Sequence, residues 1–305
     1  MVPAFNAATT VVSAVQSVLG QTASDLEVIV VDDGSTDATG ECVSRIADPR
    51  VKLTSQPNKG LPAARNAGIA RARGQYVGFL DSDDLWLPRF LELTGRALAT
   101  ISDAGFAYTD AYAFDARSGR VRRRTAMEHA RPPIPPPADR DAFLLELIQR
   151  NFVYGETVVP AEVLSAVNGF DERRSSGSED HDLWLRILMA GYRAVWVPGQ
   201  HALYRQHAGQ MTKDPLLMIR GVCAMYNDLD IESMPTAAHR KALARSRRQA
   251  ERELGIVEGT ARLRGALRSI RHRLGRVRRR VGLGDSWDAV APAEVAAAFP
   301  DLAAV

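Results

Sequence analysis

The chain has 305 residues, 46% of them apolar and 25% charged, and a formal net charge of +3. This is an ordinary globular composition, with core enough for one large domain and an appendage. Two cysteines far apart, Cys42 and Cys223, supply neither a disulfide framework nor a zinc pattern. No apolar run approaches the roughly 20 residues that span a bilayer, and the N-terminus lacks a charged-then-apolar leader, so a cytoplasmic location is expected.

Val11, Val12, Val15, Val18 and Leu19 recur at helical spacing and predict an amphipathic helix over 11–19. Leu26 to Val31 is an apolar run broken only by Glu27, the pattern of a buried parallel strand. It ends in Asp32-Asp-Gly-Ser-Thr-Asp37, after which a helix runs to about Ile46. A short strand is expected at Val51 to Leu53. A helix follows from Gly60 to Arg73, with Pro62 tolerated in its first turn, and then a strand from Tyr76 to Leu80. This alternation argues for an α/β fold with a parallel sheet, in which ligands sit at the carboxyl ends of the strands.

Further on, a helix is expected from Pro88 to about Ser102. A hairpin of Phe106 to Phe114 and Val121 to Thr125 would turn at Ser118-Gly119. The proline-rich stretch from Arg131 to Pro137 reads as an extended connector, and Asp141 to Arg150 as a helix. Asn168-Gly-Phe-Asp171 is a turn, and Ser178 is the expected N-cap of a helix reaching Met189. Strands are predicted at Ala194 to Val197 and Ala202 to Tyr204, and a helix at Leu216 to Leu229.

The chemistry concentrates in Tyr76-Val-Gly-Phe-Leu-Asp-Ser-Asp-Asp-Leu-Trp86, where a strand delivers Asp81, Asp83 and Asp84 to one spot. Three carboxylates repel one another unless a cation, helix amides or open water meets them. An Asp-x-Asp pair there suits Mg²⁺ or Mn²⁺ holding a diphosphate. In the plainer alternative Asp84 caps a helix starting near Leu85 and its neighbours are solvated.

Several motifs follow one another in a fixed order. They are Val2-Pro-Ala-Phe-Asn6, Val30-Val-Asp-Asp-Gly-Ser-Thr-Asp37, Asn58-Lys-Gly-Leu-Pro-Ala-Ala-Arg-Asn-Ala-Gly68 and Phe79-Leu-Asp-Ser-Asp-Asp84. After them come Gly169-Phe-Asp-Glu172, Ser178-Glu-Asp-His-Asp-Leu-Trp-Leu-Arg186 and Tyr204-Arg-Gln-His207. The ordered set resembles the family 2 glycosyltransferases of GT-A fold, over about residues 2 to 212.

The resemblance implies inverting transfer of a sugar from a nucleotide-diphosphate donor, UDP-linked or similar, to a hydroxyl of a glycan or lipid-linked acceptor in cell-surface polysaccharide synthesis. Pro3, Phe5 and Asn6 match the loop under the base, and Asp33 the acid that reads it. Lys59, Gly60 and Arg65 match the segment near ribose and phosphates. Asp81 and Asp83 match the metal pair, with Asp84 able to share that role, and His207 a histidine completing the site. Asp180 matches the catalytic base, with Glu179 and Asp182 as competing readings. Trp184 is read as core rather than a sugar platform, and His129, His181 and His201 as ordinary residues. Mn²⁺ or Mg²⁺ is the implied cofactor.

The resemblance also raises an expectation about the start. Family members carry an apolar strand before the first loop, whereas Met1-Val2 open directly at it. A start codon assigned too late, or a missing or truncated first strand, would explain this. Residues 1–212 are read as the GT-A domain and 213–305 as a helical, arginine-rich region. Within the latter, Leu263, Leu267, Ile270, Leu274, Val277 and Val281 form a narrow apolar seam among nine arginines. A basic amphipathic helix over 260–281 suits an anionic membrane surface; packing on its own domain or on a second copy is the alternative. Nucleic acid is not an expected partner, since no aromatics interleave the arginines. Two competing functions are an inactive sugar-nucleotide binding module and a nucleotidyltransferase.

Overall fold

The computed structural model describes residues 1–121, 136, 138–153, 156–175, 177–274 and 297–299, and of the last long helix beyond Thr260 the backbone alone. His129, the 122–125 half of the hairpin, most of the 131–137 connector and the side chains of the 260–281 seam beyond Thr260 lie outside the described residues.

The first half alternates as expected: β1 (Val2–Ala4), α1 (Val11–Leu19), β2 (Val28–Asp32), α2 (Thr39–Ser44), β3 (Val51–Ser55), α3 (Leu61–Ile69) and β4 (Tyr76–Phe79). A first strand is thus present, three residues long, and it pairs in parallel with β2 from Val2 opposite Val30 to Ala4 opposite Asp32. β2 pairs in parallel with β3. Val28 to Val31 of β2 are all apolar because both faces of the strand are covered. Ile29 and Val31 belong to one apolar cluster, and Val28 and Val30 to another on the opposite face.

The second half departs from a purely parallel sheet. β5 (Leu85–Trp86), α4 (Phe90–Ala99), β6 (Ala104–Asp115), α5 (Arg140–Gln149), β7 (Thr157–Pro160), α6 (Ala161–Ala166), α7 (Glu179–Met189) and β8 (Arg193–Gln206) follow. They build a five-stranded sheet of order β4-β7-β6-β8-β5. There β7 runs antiparallel to β4 and β6, β5 runs antiparallel to β8, and β6 and β8 are parallel. The two sheets join at Met1, whose carbonyl accepts from the Leu80 N–H at 3.2 Å. Leu85–Trp86 is a strand, so Asp84 caps no helix.

Polar side chains punctuate the elements. Asp139 caps α5, accepting from Ala142 N–H at 2.8 Å, and Asp214 caps α8 (Pro215–Asp228) through Leu216 and Leu217 N–H. Ser178 precedes α7 with a left-handed φ of 70° and makes no side-chain capping bond, contrary to expectation. Asn168 and Gly169 turn the chain with φ values of 58° and 59°. A Cβ at Gly169 would sit 2.6 Å from Asn66 Oδ1, which accepts from Phe170 N–H at 2.9 Å. That glycine lets the Gly169–Glu172 motif lie against α3.

α8 and α9 (Ala237–Leu274) pack on each other, and α9 packs on α5. Met225, Tyr226, Met234, Leu243 and Ala250 belong to the same apolar cluster as Phe106, Tyr108 and Leu147. Tyr226 Oη donates to Ile148 O at 2.6 Å. The apolar core thus runs past the expected 212/213 boundary. Among the described residues no helix is long and apolar enough to cross a membrane.

Candidate functional site

The ends of β1, β2 and β4, the start of α3 and the start of α7 meet at one cleft of about 1180 Å³. It is lined by Pro3, Phe5, Asp33, Gly60, Arg65, Asp81, Asp83, Glu179 and Asp180, among others. With Tyr204 also in the lining, residues from six of the motifs therefore share one cavity. Asn6, Lys59 and His207 are not among the lining side chains, though each borders one that is.

The β1 loop is stapled to the β2 turn. Asn6 N–H donates to Ser35 Oγ at 2.9 Å, and Asn6 Oδ1 accepts from Thr36 N–H at 2.8 Å. Phe5 stands 50% exposed at the cleft edge. Asp33 is buried and ties down the next segment, accepting from Gln56 Nε2 at 2.7 Å, Lys59 N–H at 3.0 Å and Gly60 N–H at 2.8 Å. A carboxylate has about four acceptor sites, so Asp33 keeps capacity for one further donor. Gly60, with φ of 88°, makes this turn into α3 possible.

Arg65, on α3, is buried between two acids. It donates to Asp81 Oδ1 at 2.8 Å and to Glu179 Oε1 at 2.7 Å, and its guanidinium lies 5.2 Å from the Phe170 ring centroid. Burial pulls its pKa down, but the charges of Asp81, Glu179 and Asp180 outweigh this and hold it above its usual value. Burial lifts Glu179 to about 7 against the opposing pull of Arg65. Asp180 is likewise raised by burial; it accepts from His181 N–H at 2.6 Å and from Asn151 Nδ2 at 3.2 Å.

The third acid of that helix turns elsewhere. Asp182 pairs with Arg186 Nε at 2.7 Å and faces Arg174, which also bonds Asp228 at 3.0 Å. It does not line the cleft. Trp184 is core, 4.7 Å from the Phe106 ring. His201 bonds Pro198 O at 3.0 Å.

His181 is buried with Nε2 on Leu147 O at 2.8 Å, and burial lowers its pKa from 6.5 to about 4. Between those values the unfolded chain binds the proton and the native state does not. This contribution is therefore complete above pH 6.5 and is lost as pH falls toward about 4. Relative to His181→Gln, which keeps a donor for Leu147, the wild type is expected to lose about 1.4 kcal/mol per pH unit in that window. Denaturant midpoints would measure this, and a difference independent of pH would refute it.

Around the acidic turn, Asp84 N–H donates to Asp81 O at 3.1 Å. Asp83 Oδ2 lies 2.8 Å from His207 Nε2. Burial raises the Asp83 pKa, and the charge of Asp81 adds to this. Asp84 is fully buried, accepts from Arg205 N–H at 2.7 Å and faces Glu156. Burial pushes Glu156 up to about 8 and Asp84 well above its ordinary value. Neither Glu156 oxygen receives a protein donor, so a proton held between the two carboxyls satisfies the pair.

Among the described residues no three acidic, histidine or cysteine groups are already drawn together around a cation position. The donor set nevertheless fits a divalent cation. Asp81 and Asp83 offer hard oxygens, His207 an imidazole, and the mutual repulsion felt at Asp83 is what a cation would relieve. Arg65 and His207 now occupy those oxygens.

Sequence reasoning missed Asn151, Glu156 and a whole wall of the cleft, made by Met218, Val222 and Tyr226 of α8 and Ser246, Gln249, Ala250 and Glu253 of α9. None of these stands in a motif, and only the tertiary fold brings them in.

The family model described as Glycosyl transferase family 2 matches residues 1–153, and that described as Glycosyl transferase family group 2 matches residues 142–277. The succinoglycan biosynthesis protein ExoO of Rhizobium meliloti is 36% identical over 217 residues, which are 70% of this chain and 62% of that protein. An Escherichia coli protein, the UDP-Glc:alpha-D-GlcNAc-diphosphoundecaprenol beta-1,3-glucosyltransferase WfgD, is 40% identical over 94 residues, 30% of this chain and 37% of its own. The chain thus spans less than two thirds of either relative. Among solved structures, the mannosyltransferase PcManGT from Pyrobaculum calidifontis, in complex with GDP-Man and Mn²⁺, superposes with a TM-score of 0.58 at 20% identity, covering 88% of this chain and 79% of that one. The fold is GT-A, and by sequence and fold together this chain belongs to glycosyl transferase family 2.

Proposed function

We propose that this protein transfers a sugar, with inversion, from a UDP-type nucleotide-diphosphate donor to a hydroxyl of a glycan or lipid-linked acceptor during polysaccharide assembly. One observation carries the reading: Asp33, Arg65, Asp81, Asp83, Glu179 and Asp180 converge on a single cleft at the ends of the strands. The relatives' names, succinoglycan biosynthesis and transfer from UDP-Glc to a diphosphoundecaprenol-linked sugar, support the donor and acceptor classes.

In this reading Pro3, Phe5 and Asn6 bound the base pocket and Asp33 offers its remaining acceptor site to the base. The Lys59–Gly60 turn and Arg65 flank the ribose and phosphates. A divalent cation, Mn²⁺ as in the mannosyltransferase complex or Mg²⁺, would be held by Asp81, Asp83 and His207 and would neutralise charge on the departing diphosphate. The acceptor oxygen bonds to C1 as the C1–O bond to the diphosphate breaks, and the acceptor proton passes to a carboxylate. Asp180 suits that task better than Glu179. It meets only neutral donors, whereas Glu179 is bound to Arg65. Burial raises the proton affinity of Asp180, as a base requires.

Release of nucleoside diphosphate from a panel of nucleotide sugars, with Mn²⁺ and with chelator, tests the function. No release from any donor would favour the binding-module alternative. Asp83→Asn is expected to weaken donor binding in Mn²⁺ by more than about tenfold, or 1.4 kcal/mol, because a ligand oxygen and a charge are both lost. Calorimetry showing unchanged affinity would count against Asp83 as a ligand.

A further inference from the structure

A second hollow of about 460 Å³ lies between α8 and α9, lined chiefly by Met218, Ile219 and Val222 and by Glu253, Ile256 and Val257. Its size falls within the roughly 300–1,000 Å³ of ligand-holding pockets. Met218, Val222 and Glu253 line the catalytic cleft as well, so the two hollows meet along one wall. Ile256 is 63% exposed, the most exposed large apolar side chain among the described residues. In sequence it stands seven residues before Leu263, the first position of the apolar seam.

The geometry points to this groove as the seat of the apolar chain of a lipid-linked acceptor whose sugar end reaches the cleft. The inference rests on the glycosyl-transfer reading of that cleft and adds the acceptor's chemical class and its place. An aliphatic lining with one carboxylate would leave the hydroxyls of a bare glycan unpaired, whereas it desolvates a prenyl chain favourably. A second copy of this chain is a poorer occupant. The groove has seven lining residues, against the roughly 20–30 a side of a stable dimer. The unbranched side chain of Met218, at the shared wall, can adapt to a chain passing from one hollow to the other.

Farnesyl phosphate bearing a photoactivatable diazirine tests this on the full chain. It is expected to bind, to resist competition by butyl phosphate, and to cross-link to residues 215–222 and 253–257. Ile256→Asp with Val257→Asp should weaken it by about tenfold or more and leave UDP affinity unchanged, which also reports that the fold is intact. Equal binding by this variant, cross-links outside the two helices, or a groove closed by a second copy in sedimentation would overturn the proposal. UDP binding without farnesyl phosphate binding removes the groove's role alone. A protein that binds neither UDP nor any nucleotide sugar removes the transfer reading, and the groove's role with it.

Discussion

Asp180→Asn is expected to lower sugar transfer by about 10²–10⁴-fold while nucleotide-sugar affinity changes by less than about threefold. The substitution keeps the side chain's size and an oxygen able to accept from His181 N–H, which Asp180 now does at 2.6 Å. It removes the group that can take the acceptor's proton. Single-turnover transfer and donor calorimetry separate the two effects. Because burial raises the Asp180 pKa, wild-type transfer should fall on the acid side at a pH above the usual carboxylate range. That limb should vanish in the variant. A loss of transfer smaller than about tenfold would move the base to Glu179, which lines the same cleft.

Arg65→Met is expected to cost about 3–5 kcal/mol of stability above pH 7 without added metal, as happens when one partner of a buried ion pair is removed. Most of that cost belongs to Glu179, whose side chain is 9% exposed, rather than to Asp81, whose 37% exposure lets water screen it. Glu179 already sits near pH 7 with Arg65 beside it and would rise further without it. Its folded-state pKa is raised above the unfolded value, so the variant recovers stability as pH falls and Glu179 takes up a proton. Adding Glu179→Gln to Arg65→Met should restore most of the loss above pH 7. Denaturant midpoints for the single and double variants decide the point, and additive losses would refute the pairing.

The sequence displays an element well when its burial is periodic. The β2 run and the 11–19 helix are legible because each repeats one pattern over several residues. β5 has only two residues and so no period to read. β7 and α6 pass unnoticed because they have only four and six residues and follow one another directly at Pro160, too short for either period to show. β8 reads as two strands because Pro198 and Gly199, the latter with φ of 102°, interrupt a run that continues through them. In the cleft, the acids announce themselves by clustering. Their partners do not: Arg65 and Glu179 are 114 residues apart, and Asp83 and His207 124. Asn151 and Glu156 are single polar residues whose roles come entirely from Asp180 and Asp84 lying beside them.

The packing of α9 on α5 has a consequence during synthesis. Leu144, Leu147 and Ile148 on α5 are emerging apolar surface, and Leu243 and Ala250, in the same cluster, arrive about 100 residues later. At roughly 5–20 residues per second on the ribosome, that surface waits about 5–20 s for its cover. Strands β1 to β3 and helices α1 to α3 all lie within the first 69 residues and emerge earlier. A nascent chain paused near residue 200 would therefore carry the β1–β3 strands beside an open apolar face. Holdase chaperones should bind such stalled chains and release them once α9 has emerged.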